Sequence, residues 1–248
     1  MDQIDREISH PPFKVPMLSW WRGIYDHVFI ALHPFYGVRR LDGAGREDLF
    51  DWGDRPDNFE KTVKRRGDAV RWEEVHKAVA PEVPQEKMYL AIWLGAVLGY
   101  AERADISLQE RIVEWLEEEK LYLPDEFGMA AVMEPSVGRF FSHLGASKVT
   151  IFDEFREHSA KVDVQAFAPD QPDLRMPQYS TGSGVWAVHA PELGILMSWD
   201  NECIAPLIAM TVSARQMARP EDFFEGWYAD ETTYSDVFNP KDFLRRKS

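Results

Sequence analysis

The stretch Gly184–Asp200, GVWAVHAPELGILMSWD, constrains what this chain can fold into more than any other part of it. Two apolar runs rich in β-branched and aromatic residues flank Pro191-Glu192-Leu193-Gly194, a connection of the length that closes β-hairpins, and Gly194 is free to take a positive φ. Pairing Ala190 with Ile195 sets Val188 opposite Met197 and Trp186 opposite Trp199, so one face carries two indoles and their aliphatic neighbours. That face must be buried. The other carries Ala187, His189, Leu196 and Ser198, a thinner and more mixed set that accepts a helix, a groove or water.

Something large has to cover the hairpin. Residues 85–104, QEKMYLAIWLGAVLGYAERA, are apolar almost all round and read as a buried central helix. The uninterrupted run from Met88 to Ala101 is 14 residues, short of the about 20 that span a bilayer, so its surroundings are protein and not lipid. Ala91, Gly95 and Gly99 form a smooth stripe at helical spacing, suited to the Trp186 and Trp199 face or to the next helix. That next helix, 107–120, opens on Ser107 with Glu110 three residues on, a capping-box pattern. Leu108, Ile112, Trp115 and Leu116 supply its core face. Glu110, Glu114, Glu117 and Glu118 stack on the other side as like charges.

These elements give an α+β class: an antiparallel sheet containing the 185–200 hairpin, the central helix 85–104 and the acidic amphipathic helix 107–120. With 248 residues and 45% hydrophobic content, the whole of 1–248 reads as one α+β domain and disorder is excluded for most of it. A single cysteine, Cys203, forbids an internal disulfide, and the polar, acidic start carries no secretory pattern, so a reducing cytoplasm is expected. The formal charge of −14 falls almost wholly on residues 85–248. A field of that sign repels phosphate backbones and anionic lipid and favours a basic protein partner.

Elsewhere the signals are local. Residues 1–16, with three prolines, read as an extended arm anchored by Phe13 and Val15. Tyr25 to Leu32 is a buried strand or a short helix ended by His33-Pro34. His27 and His33 read as structural histidines. Residues 37–60 read as a long loop-rich segment, and its Gly43-Ala44-Gly45 is followed by carboxylates where a phosphate loop would need a helix start. Lys61, Lys64, Arg65, Arg66 and Arg71 form the one dense basic cluster, read as a solvated face because no aromatic is interleaved. Pro135 starts a short helix stopped by Gly145, Lys148–Phe152 is a strand, and residues 158–167 are another. Cys203 to Gln216 reads as a helix capped by Asp200 or Asn201, and PEDFFEGW as a short helix.

Two chemistries compete for these residues. Asp153 and Glu154 at a strand end, with Asp200 and His33, make a set able to hold Mg²⁺ or Ca²⁺ for a metal-dependent hydrolase. Cys203 with His189 as base is a thiol variant of the same class. No GxSxG, HExxH, CxxC or phosphate-loop pattern supports either, and no cofactor is implied. The other class is a non-catalytic binding protein of the immunity type, sequestering a basic partner on Glu110, Glu114, Glu117 and Glu118. His33-Pro34-Phe35, Asp153-Glu154-Phe155 and the apolar strand ending Trp199-Asp200 together resemble an uncharacterised family of bacterial cytoplasmic proteins, a domain of unknown function, across residues 25–210. The resemblance implies bacterial origin and brings no activity, substrate or catalytic residue.

Overall fold

The computed structural model describes residues 5–47, 58–96, 105–177, 184–200 and 203–234, which build two antiparallel sheets and the helices that cover them. A single-turn helix α1 (Met17–Trp20) leads into β1 (His27–Ala31). Strands β2 (Phe35–Arg39) and β3 (Arg46–Glu47), then helix α2 (Phe59–Arg66) and β4 (Gly67–Val70), give a small sheet in the order β3-β2-β4. Helices α3 (Trp72–Val79), α4 (Gln85–Ala96), α5 (Ile106–Glu119) and α6 (Glu134–His143) come next. Strands β5 (Lys148–Phe152), β6 (Ser159–Asp163), β7 (Ala187–Ala190), β8 (Ile195–Ser198) and β9 (Leu207–Met210), helix α7 (Val212–Met217) and β10 (Gly226–Tyr228) close the chain's described part. The large sheet runs β10-β1-β9-β8-β7-β5-β6.

The hairpin β7-β8 forms in the expected register, with Ala190 opposite Ile195 and Val188 opposite Met197. Beyond the strand ends the Trp199 N–H donates to the Trp186 carbonyl at 2.9 Å. Its connection is a 3₁₀ turn, Pro191–Leu193, closed by Gly194 at φ 67°. A Cβ at Gly194 would stand 2.5 Å from Thr211 Oγ1, so both the backbone angle and the close approach demand glycine. Trp186 and Trp199 are buried in one core with Val188, Ala190, Ile195 and Met197.

Alternation along the strands divides the large sheet into two buried faces. Phe29, Ala31, Ile208 and Met210 share the indole face, which α6 covers with Val137, Phe140 and Phe141. Gly138 lets α6 approach the turn Val164–Phe167, where a Cβ would meet that of Phe167 at 2.6 Å. Val28, Ile30, Ala187, Leu196, Leu207 and Ala209 belong to the second core, which takes Met17 and Trp21 near α1 and the apolar faces of α3, α4 and α5. A sheet covered on both faces favours apolar residues along its central strands, and β7, β8 and β9 are buried throughout, with His189 and Ser198 their only polar members.

Several expectations change. Of the two partners expected for the central helix it takes the next helix and not the indole face: it packs beside α3 and α5 in the core opposite the two indoles. It is described as Gln85–Ala96, so the rest of 85–104, with Gly99, lies outside the described residues. The N-cap of the acidic helix falls two residues before the expected Ser107. Asp105 is its N-cap, accepting from Leu108 N at 3.2 Å, and Ser107 donates to the same carboxylate; the charged side chain wins the cap. The expected helix from Cys203 contains β9, since Leu207-Ile208-Ala209-Met210 inserts between β1 and β8, where an apolar run without alternation is what a doubly covered strand requires.

Residues 37–60 are less loop-rich than expected, because β2 extends to Arg39 and pairs with β3, while 48–57 lie outside the described residues. The segment near residue 220 is a 3₁₀ turn, Pro220–Asp222, followed by strand β10. The arm is a compact turn and not an extended strand: Asp5 accepts from Glu7 N, Ser9 N and Ser9 Oγ, and Phe13 is exposed. Phe238 and Phe243 lie outside the described residues. Among the described residues no helix is long and apolar enough to cross a membrane. Replacing Trp186 or Trp199 by Ala is expected to lower the unfolding free energy by about 3–5 kcal/mol in urea titrations. An unchanged midpoint would overturn the burial of that face.

Candidate functional site

Antiparallel pairing brings one set of strand ends together: β1, β5 and β8 finish where β7, β9 and β10 begin. His33, Asp153-Glu154 and Trp199-Asp200, far apart in sequence, therefore meet at one end of the large sheet. Their link is the Trp199 indole, whose Nε1–H donates to His33 Nε2 at 2.8 Å. An indole only donates, so Nε2 is the acceptor and the proton sits on Nδ1, which bonds the Asp125 carbonyl at 2.6 Å. The His33 carbonyl accepts from Trp72 Nε1 at 2.7 Å. Burial pulls this imidazole down to about 4, against a smaller upward pull from the Asp125 carbonyl. Both ring nitrogens are used, and His33 is neutral.

The positive charge at this end belongs to Arg156, on the β5-β6 turn at φ 61°, a left-handed position rare for a residue with a Cβ. Its Nη1 donates to the Asp153 and Glu154 carbonyls at 2.7 and 2.9 Å. Its Nη2 donates to Ser198 Oγ at 2.9 Å and to the Trp186 and Trp199 carbonyls at 3.1 and 3.3 Å. Nε donates to the Ile8 carbonyl at 3.1 Å. Burial lowers the guanidinium to about 10, opposed by the Asp200, Asp153 and Glu154 carboxylates, and it stays charged at neutral pH.

This arrangement bears directly on the metal set. The buried Asp153 accepts from the backbone and Nδ1 of His158 at 3.2 and 2.8 Å. Glu154 is exposed, and Asp200 lies 4.0 Å from His10 Nε2. The fold does place Asp153, Glu154 and Asp200 around one cation, but that cation is Arg156. Among the described residues no group of three or more His, Cys, Asp or Glu is placed to hold a metal ion. The sequence signal for Arg156 is its position inside an acidic turn.

The thiol pair is placed otherwise. Cys203 is buried ahead of β9, and His189 turns Nε2 toward the Tyr25 hydroxyl at 3.3 Å and Glu7 Oε1 at 3.7 Å. Of the basic cluster, Lys64 is not solvated. Its Nζ pairs with the buried Glu134 at 2.6 Å and donates to the Ala166 and Pro172 carbonyls at 2.7 Å each. Burial lifts Glu134 to about 6, against the pull of Lys64. On α5, Leu108, Ile112 and Leu116 are buried while Glu110, Glu114, Glu117 and Glu118 are exposed on the expected side.

Arg156→Lys keeps the charge but loses the planar fork, and is expected to cost about 2 kcal/mol or more in a denaturant titration, since several buried carbonyls are stranded. Adding Mg²⁺ or Ca²⁺ should move the melting midpoint by less than about 1 °C; a saturable rise would instead support the carboxylates as a metal site.

The buried imidazoles also set a pH dependence. His33 and His10, both lowered to about 4 chiefly by burial, are neutral in the fold and titrate near 6.5 when unfolded. Their contribution is whole above about 6.5 and is lost between 6.5 and 4, at about 3 kcal/mol each. Glu134, raised to about 6 from 4.5, works in the opposite sense by about 2 kcal/mol over 6 to 4.5. Stability should therefore fall on acidification through that window, less steeply in His10→Asn; a midpoint that holds or rises would mean the imidazoles are not sealed.

Compared with known proteins, the chain matches a family model described as protein of unknown function, DUF2711, over residues 13–238. No curated protein and no solved structure matches it. The matched stretch takes in both sheets and all three motifs that meet at Trp199, and on that extent the chain belongs to the DUF2711 family.

Proposed function

We propose that this chain is a non-catalytic acidic binding protein that occupies a basic protein partner, in the manner of an immunity protein, through the exposed face of α5. The observation that carries this reading is the disposition of Glu110, Glu114, Glu117 and Glu118. They line the solvent side of a helix whose other side is locked into the core, and among the described residues none of the four carboxylates enters an ion pair. Arg111, on the same helix, is engaged instead by Glu82 at 2.8 Å.

The arrangement works against the isolated helix. Like charges a turn apart repel, and Glu117 and Glu118 sit in the last turn, where the exposed carbonyls favour cations. A rigid face of one sign, held at that cost, suits fast, charge-steered association with a basic surface. Phosphate backbones and anionic lipid are disfavoured by the same field, which supports a protein partner.

The test is capture from a lysate of the source cells by the wild type and by a variant with all four glutamates changed to Gln, then purification of whatever is retained. A basic protein should bind the wild type, weaken as ionic strength rises, and bind the variant at least about tenfold less tightly. Retention indifferent to the four substitutions would remove α5 as the site.

A further inference from the structure

The segment Asp5–His10 lies over the mixed face of the hairpin, and the way it is held differs from the rest of the fold. Four successive backbone carbonyls each accept a hydrogen bond from a side chain of the body. The Arg6 carbonyl accepts from Trp21 Nε1 at 2.8 Å, that of Glu7 from the Tyr25 hydroxyl at 3.0 Å, that of Ile8 from Arg156 Nε at 3.1 Å, and that of Ser9 from Trp20 Nε1 at 3.4 Å. Carbonyls are common to every residue type, so these four donors hold a main chain whatever its side chains are.

Side chains add three contacts: His10 Nδ1 lies 3.3 Å from Ser198 Oγ, and Arg6 and Glu7 supply the other two. The Arg6 guanidinium donates to the Trp20 and Arg22 carbonyls and lies 5.5 Å over the Trp20 ring. The Glu7 carboxylate stands 3.7 Å from His189 Nε2. Ile8 packs against the second core, but the polar fit is incomplete: among the described residues three buried side-chain nitrogens have no hydrogen-bond partner, and two of them, Arg6 Nε and His10 Nε2, belong to this segment. Each such atom costs about 1–3 kcal/mol, a weak seal beside the fully bonded His33 and Arg156.

The segment is also self-contained. Asp5 caps its turn through Glu7 N and Ser9 N, and Pro11-Pro12 separates it from the stretch leading into α1. The donors Trp20, Trp21, Tyr25 and Arg156 all fall within the family match, 13–238, and the segment they hold falls outside it.

We propose that this cleft is a peptide-binding site that reads main-chain carbonyls, and that Asp5–His10 is its resident occupant, exchangeable for a peptide of a partner protein carrying a basic residue followed by an acidic one. It is built from different residues than the α5 face, so either can fail alone.

The test uses the intact chain first. The Trp21 indole N–H, held only by the segment, should exchange with D₂O through local opening at least about 100-fold faster than the Trp199 indole N–H held by His33. A fluorescein-labelled peptide of residues 1–12 should then bind a 13–248 variant saturably and the full chain at least about tenfold more weakly, because there the cleft is filled. Ile8→Ala and Ser9→Ala in the peptide should leave affinity within about threefold, whereas Arg6→Ala with Glu7→Ala, or Tyr25→Phe in the body, should weaken it about fivefold or more. Equal exchange of the two indoles would overturn the proposal, and decides the matter if 13–248 does not fold. So would a folded 13–248 that ignores the peptide, or sedimentation showing a dimer with exchanged arms, which would make the occupant a second copy.

Discussion

Removing a polar atom from water without giving it a partner costs about 1–3 kcal/mol, and the end of the large sheet concentrates such atoms. Both faces of the sheet are covered, so the strand ends are where carbonyls released from the ladder meet packed side chains instead of solvent. His33 and Arg156 resolve that problem. The imidazole joins a donor, the Trp199 indole, to an acceptor, the Asp125 carbonyl, and so ties β8 to the segment after α5. The guanidinium gathers carbonyls from Asp153, Glu154, Trp186 and Trp199 and fastens the β5-β6 turn to the hairpin.

The parts of the fold legible in the residues alone are those with local geometry. The hairpin register comes from a period of two and one glycine, and Gly194 takes the positive φ that the turn needs. The α+β class, strand β5 and helix α6, with Pro135 in its first turn, rest on the same kind of signal. The expectations that fail are set by neighbours distant in sequence. β9 carries no alternation because it lies between β1 and β8 under two cores, and an apolar run of four residues looks alike in a strand and a buried helix. Ser107 and Asp105 are both competent caps, and only the path of the preceding chain chooses between them.

The site is legible in its positions and not in its bonding. Spacing at strand ends draws Asp153, Glu154, Asp200 and His33 together, and the fold does bring those ends together. Composition cannot say that the shared cation is an arginine whose own backbone lies in the same turn. Lys64 shows the same limit. A lysine among Lys61, Arg65 and Arg66 looks solvated until the loop carrying Ala166 and Pro172 folds over it and Glu134 arrives from α6.

Two groups of glutamates separate structural charge from charge with nothing to do inside the molecule. Glu134 is buried against Lys64 and also accepts from Leu174 N, so its charge serves to hold α2, α6 and the loop around Leu174 together. Removing either partner alone would strand the other, which marks the pair as structural. Glu110, Glu114, Glu117 and Glu118 hold nothing together. They repel one another, oppose the helix dipole at its C-terminal end, and face water from a helix whose core side would be the same with any polar residue in their place. Within the molecule that pattern only weakens α5. That cost is what the docking to a basic surface proposed for α5 would offset.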